Sequence, residues 1–229
     1  MIIGGFQKFS LTDFPGKISA IIFTRGCNFR CPYCHNPELV DPPRYAREIP
    51  QEEIFRFLAS RTGQLQGVVV TGGEPTLFDD LPSLLARIHA LGFVAKLDTN
   101  GSNPDLLQRL IGDSLLDYIA MDVKAPLTEY PRVARTPVNV KDIEKSMQLV
   151  MESGIPYEFR TTYAGSLLSA PEMSAIAALV HGCAHYVVQG FRPAKTLDPA
   201  MCTLAREDPA SLQAVKEIIE RAGLPVSVR

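Results

Sequence analysis

Six short apolar runs, rich in β-branched residues and separated by helical patterns, constrain the fold of this chain more than any other feature. They are Ile18–Thr24, Gly67–Thr71, Val94–Asp98, Asp117–Met121, Tyr157–Thr161 and Tyr186–Gln189. Strands apolar at nearly every position are buried on both faces, the habit of a parallel sheet. Helical periodicity falls between them, near Gln51–Ser60, Leu81–Ala90, Pro104–Leu110, Val140–Glu152 and Pro171–His181. A last helix is expected from Pro209 to Ala222, stopped by Gly223. This alternation predicts right-handed crossovers in an α/β fold. Six units fall short of a closed eight-unit barrel, so the expected form is a partial, open (β/α)6 TIM-like barrel. A flat doubly wound sheet fits the same pattern. The 229 residues show no internal repeat or low-complexity linker, and a single domain over residues 1–229 is expected. The Pro-rich stretch Pro37–Pro50 reads as an ordered loop.

The loop after the first run reads Cys27-Asn-Phe-Arg-Cys31-Pro-Tyr-Cys34-His35-Asn36. Three thiolates at CxxxCxxC spacing can hold three irons of a four-iron, four-sulfur cluster and leave the fourth open to a substrate. Five cysteines, three crowded into one loop, argue against a secreted disulfide framework and for metal or redox chemistry in a reducing compartment. Cys183 and Cys202 stand apart and read as ordinary thiols. A rival reading places a structural zinc on Cys27, Cys31, Cys34 and His35. Zinc modules, however, typically use two separated ligand pairs, and an orienting role for His35 is preferred.

Nearly every other unusual polar cluster ends a predicted strand, where parallel α/β folds place their ligands. Gly72-Gly73-Glu74-Pro75 ends the second, Asp98-Thr99-Asn100-Gly101 the third and Asp122-Val123-Lys124 the fourth. Arg160-Thr161-Thr162 ends the fifth, and Gln189-Gly190-Phe191-Arg192-Pro193 the sixth. The paired glycines would let backbone approach a ligand closely, and Glu74 offers a carboxylate to a cationic amine. Asp98, Asp122 and Lys124 need partners among apolar neighbours, supplied either by a ligand or by ion pairs across the strands. Arg160 is expected to reach a ligand or to form a rim salt bridge.

The cysteine run followed by GGEP resembles the signature of the radical S-adenosylmethionine (SAM) enzymes. The leader Ser10-Leu-Thr-Asp-Phe-Pro-Gly-Lys17 and Cys34-His-Asn-Pro37 are similar to glycyl-radical-enzyme activases. With the Arg160 and Gln189–Pro193 segments, the chain most resembles the activating proteins of anaerobic ribonucleoside-triphosphate reductase. It lacks the extra cysteines of relatives that carry an inserted pair of ferredoxin-like clusters. The resemblance implies a [4Fe-4S] cluster on Cys27, Cys31 and Cys34, with SAM on its open iron. It implies SAM contacts from Tyr33 beside the adenine, from Gly72, Gly73 and Glu74 at the methionine ammonium, and from Asp98, Asn100, Lys124 and Arg160 around the rest. Reductive cleavage of SAM and formation of a glycyl radical on a partner enzyme would follow. Pyruvate formate-lyase or another glycyl radical enzyme is the alternative partner, and a small-molecule radical SAM enzyme such as a deazaguanine synthase is the alternative activity. A low-potential donor such as flavodoxin or ferredoxin is implied.

A hydrophobic share of 46%, a charged share of 21% and a net charge of -2 suit a globular protein and supply no global attraction to nucleic acid or an anionic membrane. With no signal-like start and no apolar segment of spanning length, the expected location is the cytoplasm.

Overall fold

A computed structural model describes all 229 residues, Met1–Arg229. Eight strands lie in sequence order in one sheet, β1-β2-β3-β4-β5-β6-β7-β8. They are β1 (Ile3–Ser10), β2 (Ser19–Thr24), β3 (Gly67–Gly72), β4 (Val94–Thr99), β5 (Tyr118–Asp122), β6 (Tyr157–Tyr163), β7 (Tyr186–Gly190) and β8 (Val226–Val228). β1 runs antiparallel to β2, and all later neighbours pair in parallel. No pairing joins β8 to β1, so the sheet is an open, partial TIM-like barrel. The unbroken strand order excludes the doubly wound alternative, in which the order reverses.

The six expected strands are β2 to β7, and two further strands flank them. β1 carries Gly4 and Gly5 and is largely solvent-accessible, so it lacks the apolar run of a strand buried on both faces. β8 is only three residues long.

Eight α-helices complete the chain: α1 (Pro37–Val40), α2 (Gln51–Ala59), α3 (Leu81–Ala90), α4 (Pro104–Gly112), α5 (Tyr130–Ala134), α6 (Val140–Glu152), α7 (Ala170–Leu179) and α8 (Pro209–Arg221). The ordered loop expected at Pro37–Pro50 holds α1 and a short 3-10 turn, Pro42–Arg44. Side-chain caps mark the starts of α4 and α8. Asn103 accepts from Leu106 N and Asp208 from Ser211 N, each before a proline at the first helical position. None of these helices is long and apolar enough to cross a membrane.

Alternation along the strands separates two environments. Ala20, Ile22, Val68, Val70 and Leu97 belong to the large apolar core shared with helix residues such as Leu84, Leu107 and Ile143. Ile21 and Val69 point to the other face and form a small cluster with Phe14 of the leader. That face turns polar toward the strand C-termini, where Lys96, Asp98, Asp122 and Arg160 follow one another at two-residue spacing or in register. The leader lies at the opposite end of the strands from the cysteine loop, and Phe14 (2% exposed) closes that end.

Candidate functional site

The loop between β2 and α1 and the C-terminal ends of β3 to β7 enclose a cavity of about 240 Å³. Every sequence-predicted site residue lines it. Cys27, Cys31, Cys34 and Tyr33 come from the loop, and Gly72, Gly73 and Glu74 from the end of β3. Asp98, Asn100, Lys124 and Arg160 come from the ends of β4, β5 and β6. Asp122, Thr162 and Gln189 join them. Cys183 and Cys202 lie elsewhere.

All three loop cysteines are free thiols. Burial pushes the three thiols up, Cys27 to about 12, with Glu74's charge the next contributor there. Lys124 opposes the rise at each of them. Cys27 Sγ accepts from Phe29 N at 3.3 Å. Burial thus holds the three as protonated thiols, and three cysteines around one cavity fit an iron–sulfur cluster held by one thiolate per iron, whose assembly would release protons. His35 stacks on Phe191 (5.8 Å, 8° between planes), and its Nε2 meets Arg192 O at 2.9 Å. The ring therefore ties the cysteine loop to the end of β7.

The paired glycines answer a need inside the protein. A Cβ on Gly73 would stand 1.9 Å from Gly26 O, and one on Gly72 (φ +122°) would stand 2.3 Å from Thr24 N. The turn after β3 is pressed against the backbone leading to Cys27, through Gly73 N to Thr24 O and Glu74 N to Gly26 O, both 2.8 Å. The glycines thus admit a close approach of the protein's own backbone.

Glu74 is 1% exposed and its carboxylate is occupied by four donors. Oε1 accepts from Thr76 N (3.0 Å), Thr76 Oγ1 (2.6 Å) and Thr99 Oγ1 (2.7 Å), and Oε2 accepts from Asn100 N at 2.7 Å. Burial nonetheless pushes its carboxyl above the usual range. Glu74 thus braces the end of β3 against that of β4, and its charge reaches the cavity from behind.

The strand-end charges are paired with one another. Arg160 bridges Asp98 (Nη1–Oδ2, 3.1 Å) and Asp122 (Nε–Oδ1, 2.9 Å); Lys96 pairs with Asp98, and Lys124 with Asp122 at 3.3 Å. Burial works to raise both carboxyls, but Arg160 with its lysine partners outweighs it, holding Asp98 below the usual range and Asp122 at about 2. Three cations against two carboxylates leave one positive charge, and Lys124 is the member whose field reaches the thiols. Sequence reasoning missed Lys96, although its two-residue spacing from Asp98 on a strand was a usable signal. It also missed Thr76, which carries no such signal, and gave Thr99 no role beyond its place in the Asp98–Gly101 motif.

Comparison with known proteins comes to the same region. Residues 21–167 match the model of the Radical SAM superfamily. The chain is 34% identical to the Methanocaldococcus jannaschii protein named "Putative glycyl-radical enzyme activating enzyme MJ1227", over 86% of this chain and 82% of that one. It is 26% identical to a 7-carboxy-7-deazaguanine synthase of Thermococcus kodakarensis, over 81% and 80% of the two chains. A domain of pyruvate-formate lyase-activating enzyme from Bacteroides vulgatus shares the fold at a TM-score of 0.55 and 18% identity, over 72% of this chain and 99% of that one. Streptococcus suis SuiB bound to S-adenosylmethionine does so at 0.66 and 16%, over 91% of this chain and 49% of that one.

Proposed function

The chain belongs to the radical SAM superfamily, enzymes that use a [4Fe-4S] cluster and S-adenosylmethionine, and from that premise we propose that it is a glycyl-radical-enzyme activase. The observation that carries this reading is the 34% identity to a named activating enzyme, which extends over most of both chains. The partner proposed is anaerobic ribonucleoside-triphosphate reductase, on the strength of the Arg160–Thr162 and Gln189–Pro193 segments; pyruvate formate-lyase or another glycyl radical enzyme is the alternative. A flavodoxin or ferredoxin is proposed as the electron source.

When bound, the cluster and SAM supply one-electron cleavage of the sulfonium and removal of a hydrogen atom from a partner's glycine. The chain's own residues hold, orient and exclude water. Cys27, Cys31 and Cys34 would each hold one iron. Gly72 and Gly73 would present backbone to the methionine ammonium, with Glu74's negative charge behind them, and Tyr33 would lie beside the adenine. Lys124 would direct the excess positive charge toward the thiolates and the SAM carboxylate. Arg160 is engaged by Asp98 and Asp122 and so would hold both carboxylates in place beside a bound SAM. The open side of the barrel leaves room for a polypeptide loop of the partner.

The test is anaerobic reconstitution with iron and sulfide, reduction and addition of SAM. 5′-Deoxyadenosine should form, and a glycyl radical should appear by EPR on anaerobic ribonucleotide reductase. Cys31→Ala should abolish cleavage; retained cleavage would overturn the scheme. The likeness to the T. kodakarensis enzyme favours a second reading, deazaguanine synthesis. Cleavage stimulated by a small-molecule substrate and indifferent to glycyl radical enzymes would establish it instead.

A further inference from the structure

Asn100 stands at the end of β4, 4% exposed, and its carboxamide has a determined orientation. Ser102 N donates to its Oδ1 at 2.9 Å, which makes the other terminal atom the nitrogen. That nitrogen, Nδ2, donates to Asn28 Oδ1 at 2.9 Å and lies 3.9 Å from Cys27 Sγ, within reach of a sulfur acceptor. Asn28 is itself anchored, its own Nδ2 donating to Ser102 Oγ at 2.8 Å. Asn100 N is held by Glu74 Oε2 at 2.7 Å. With one N–H spent on Asn28 and the backbone tied on both sides, the second N–H is directed at the sulfur of the first cysteine.

We infer that Asn100 is a positioning and tuning residue for Cys27: its carboxamide donates an N–H to the Cys27 thiolate, and Asn28 and Ser102 lock it in that orientation. This rests on the reading that Cys27 holds an iron of the cluster. Donation to a cluster thiolate favours the more negative, reduced state and so raises the reduction potential. Cys27 then receives two N–H groups, from Phe29 and from Asn100, and Asn100 is the one that comes from another element. Its primary duty is to the cysteine sulfur, where family resemblance alone would assign it to SAM.

The experiment compares wild type, Asn100→Leu and Asn28→Ala after cluster reconstitution, reading the midpoint potential by EPR-monitored titration and the SAM Kd by equilibrium dialysis. Asn100→Leu removes the donor at similar volume. Asn28→Ala changes an exposed residue and removes the lock while keeping the donor. Expected are a more negative midpoint potential in Asn100→Leu and, in Asn28→Ala, a smaller shift of the same sign with SAM affinity changed by less than about twofold. An unchanged potential in both variants overturns the inference, whatever happens to SAM affinity. If Asn100→Leu fails to fold, Asn28→Ala decides alone: a negative shift supports the lock, and none refutes it. Failure of wild type itself to assemble an EPR-active cluster would instead refute the cluster reading on which the inference rests.

Discussion

At the scale of single residues, the glycine pair at the end of β3 shows how tightly packed backbone can dictate residue type. Gly73 has no space for a Cβ because backbone, not a movable side chain, occupies it. Gly73→Ala is therefore expected to cost more than about 4 kcal/mol, the range of severe steric or packing damage, and to abolish cluster assembly with it. Gly101 makes a useful contrast. Its added Cβ would meet the Met121 methyl at 2.1 Å, which can swing away, so the main penalty of Gly101→Ala is its positive φ of +75°. That penalty is about 1–2 kcal/mol. Urea unfolding of both variants checks the order, and equal losses would refute the explanation. Glu74 carries the same lesson, because its four donors make it a brace between strands before it is anything to a ligand.

At the scale of elements, helices were legible because apolar periodicity is local, and at some starts capping adds a second local signal. The start of α7 has Ser169 as cap, with Glu172 reaching back to the Ser169 N–H at 2.7 Å, and Arg132 completes the group through Glu172. Ser169→Ala should lower stability by about 1 kcal/mol, measured as a shift in the urea midpoint, with the cavity and its SAM affinity left unchanged. α5 was not expected: five residues starting Tyr130-Pro131 leave no periodic pattern to read. β1 was missed for a related reason. A partly exposed edge strand with two glycines has neither the composition nor the alternation that marks a strand.

At the scale of the whole molecule, the open sheet has two differently built ends. The C-terminal end of the strands is polar and holds the cavity, while the other is closed by Phe14, whose ring lies 5.9 Å from that of Tyr118. Phe14→Ala should cost about 3–5 kcal/mol by urea unfolding, with iron content per folded molecule unchanged; loss of iron binding would show that the two ends are coupled. The alternation of apolar runs and helical patterns, and the placing of polar motifs after each strand, were determined by the sequence itself, because period and capping act between residues close along the chain. Their convergence on one rim followed from parallel connectivity, and the cysteine spacing marked a loop that lines the cavity. Only the tertiary structure decided which charges neutralise one another. Lys96, Asp98, Asp122, Lys124 and Arg160 come from three strands, and their pairing depends on register and distance. It also decided that the glycines yield to neighbouring backbone and that the Asn100 amide faces Cys27. Those are contacts between residues up to 73 positions apart in the chain, and short-range sequence patterns carry no information about them.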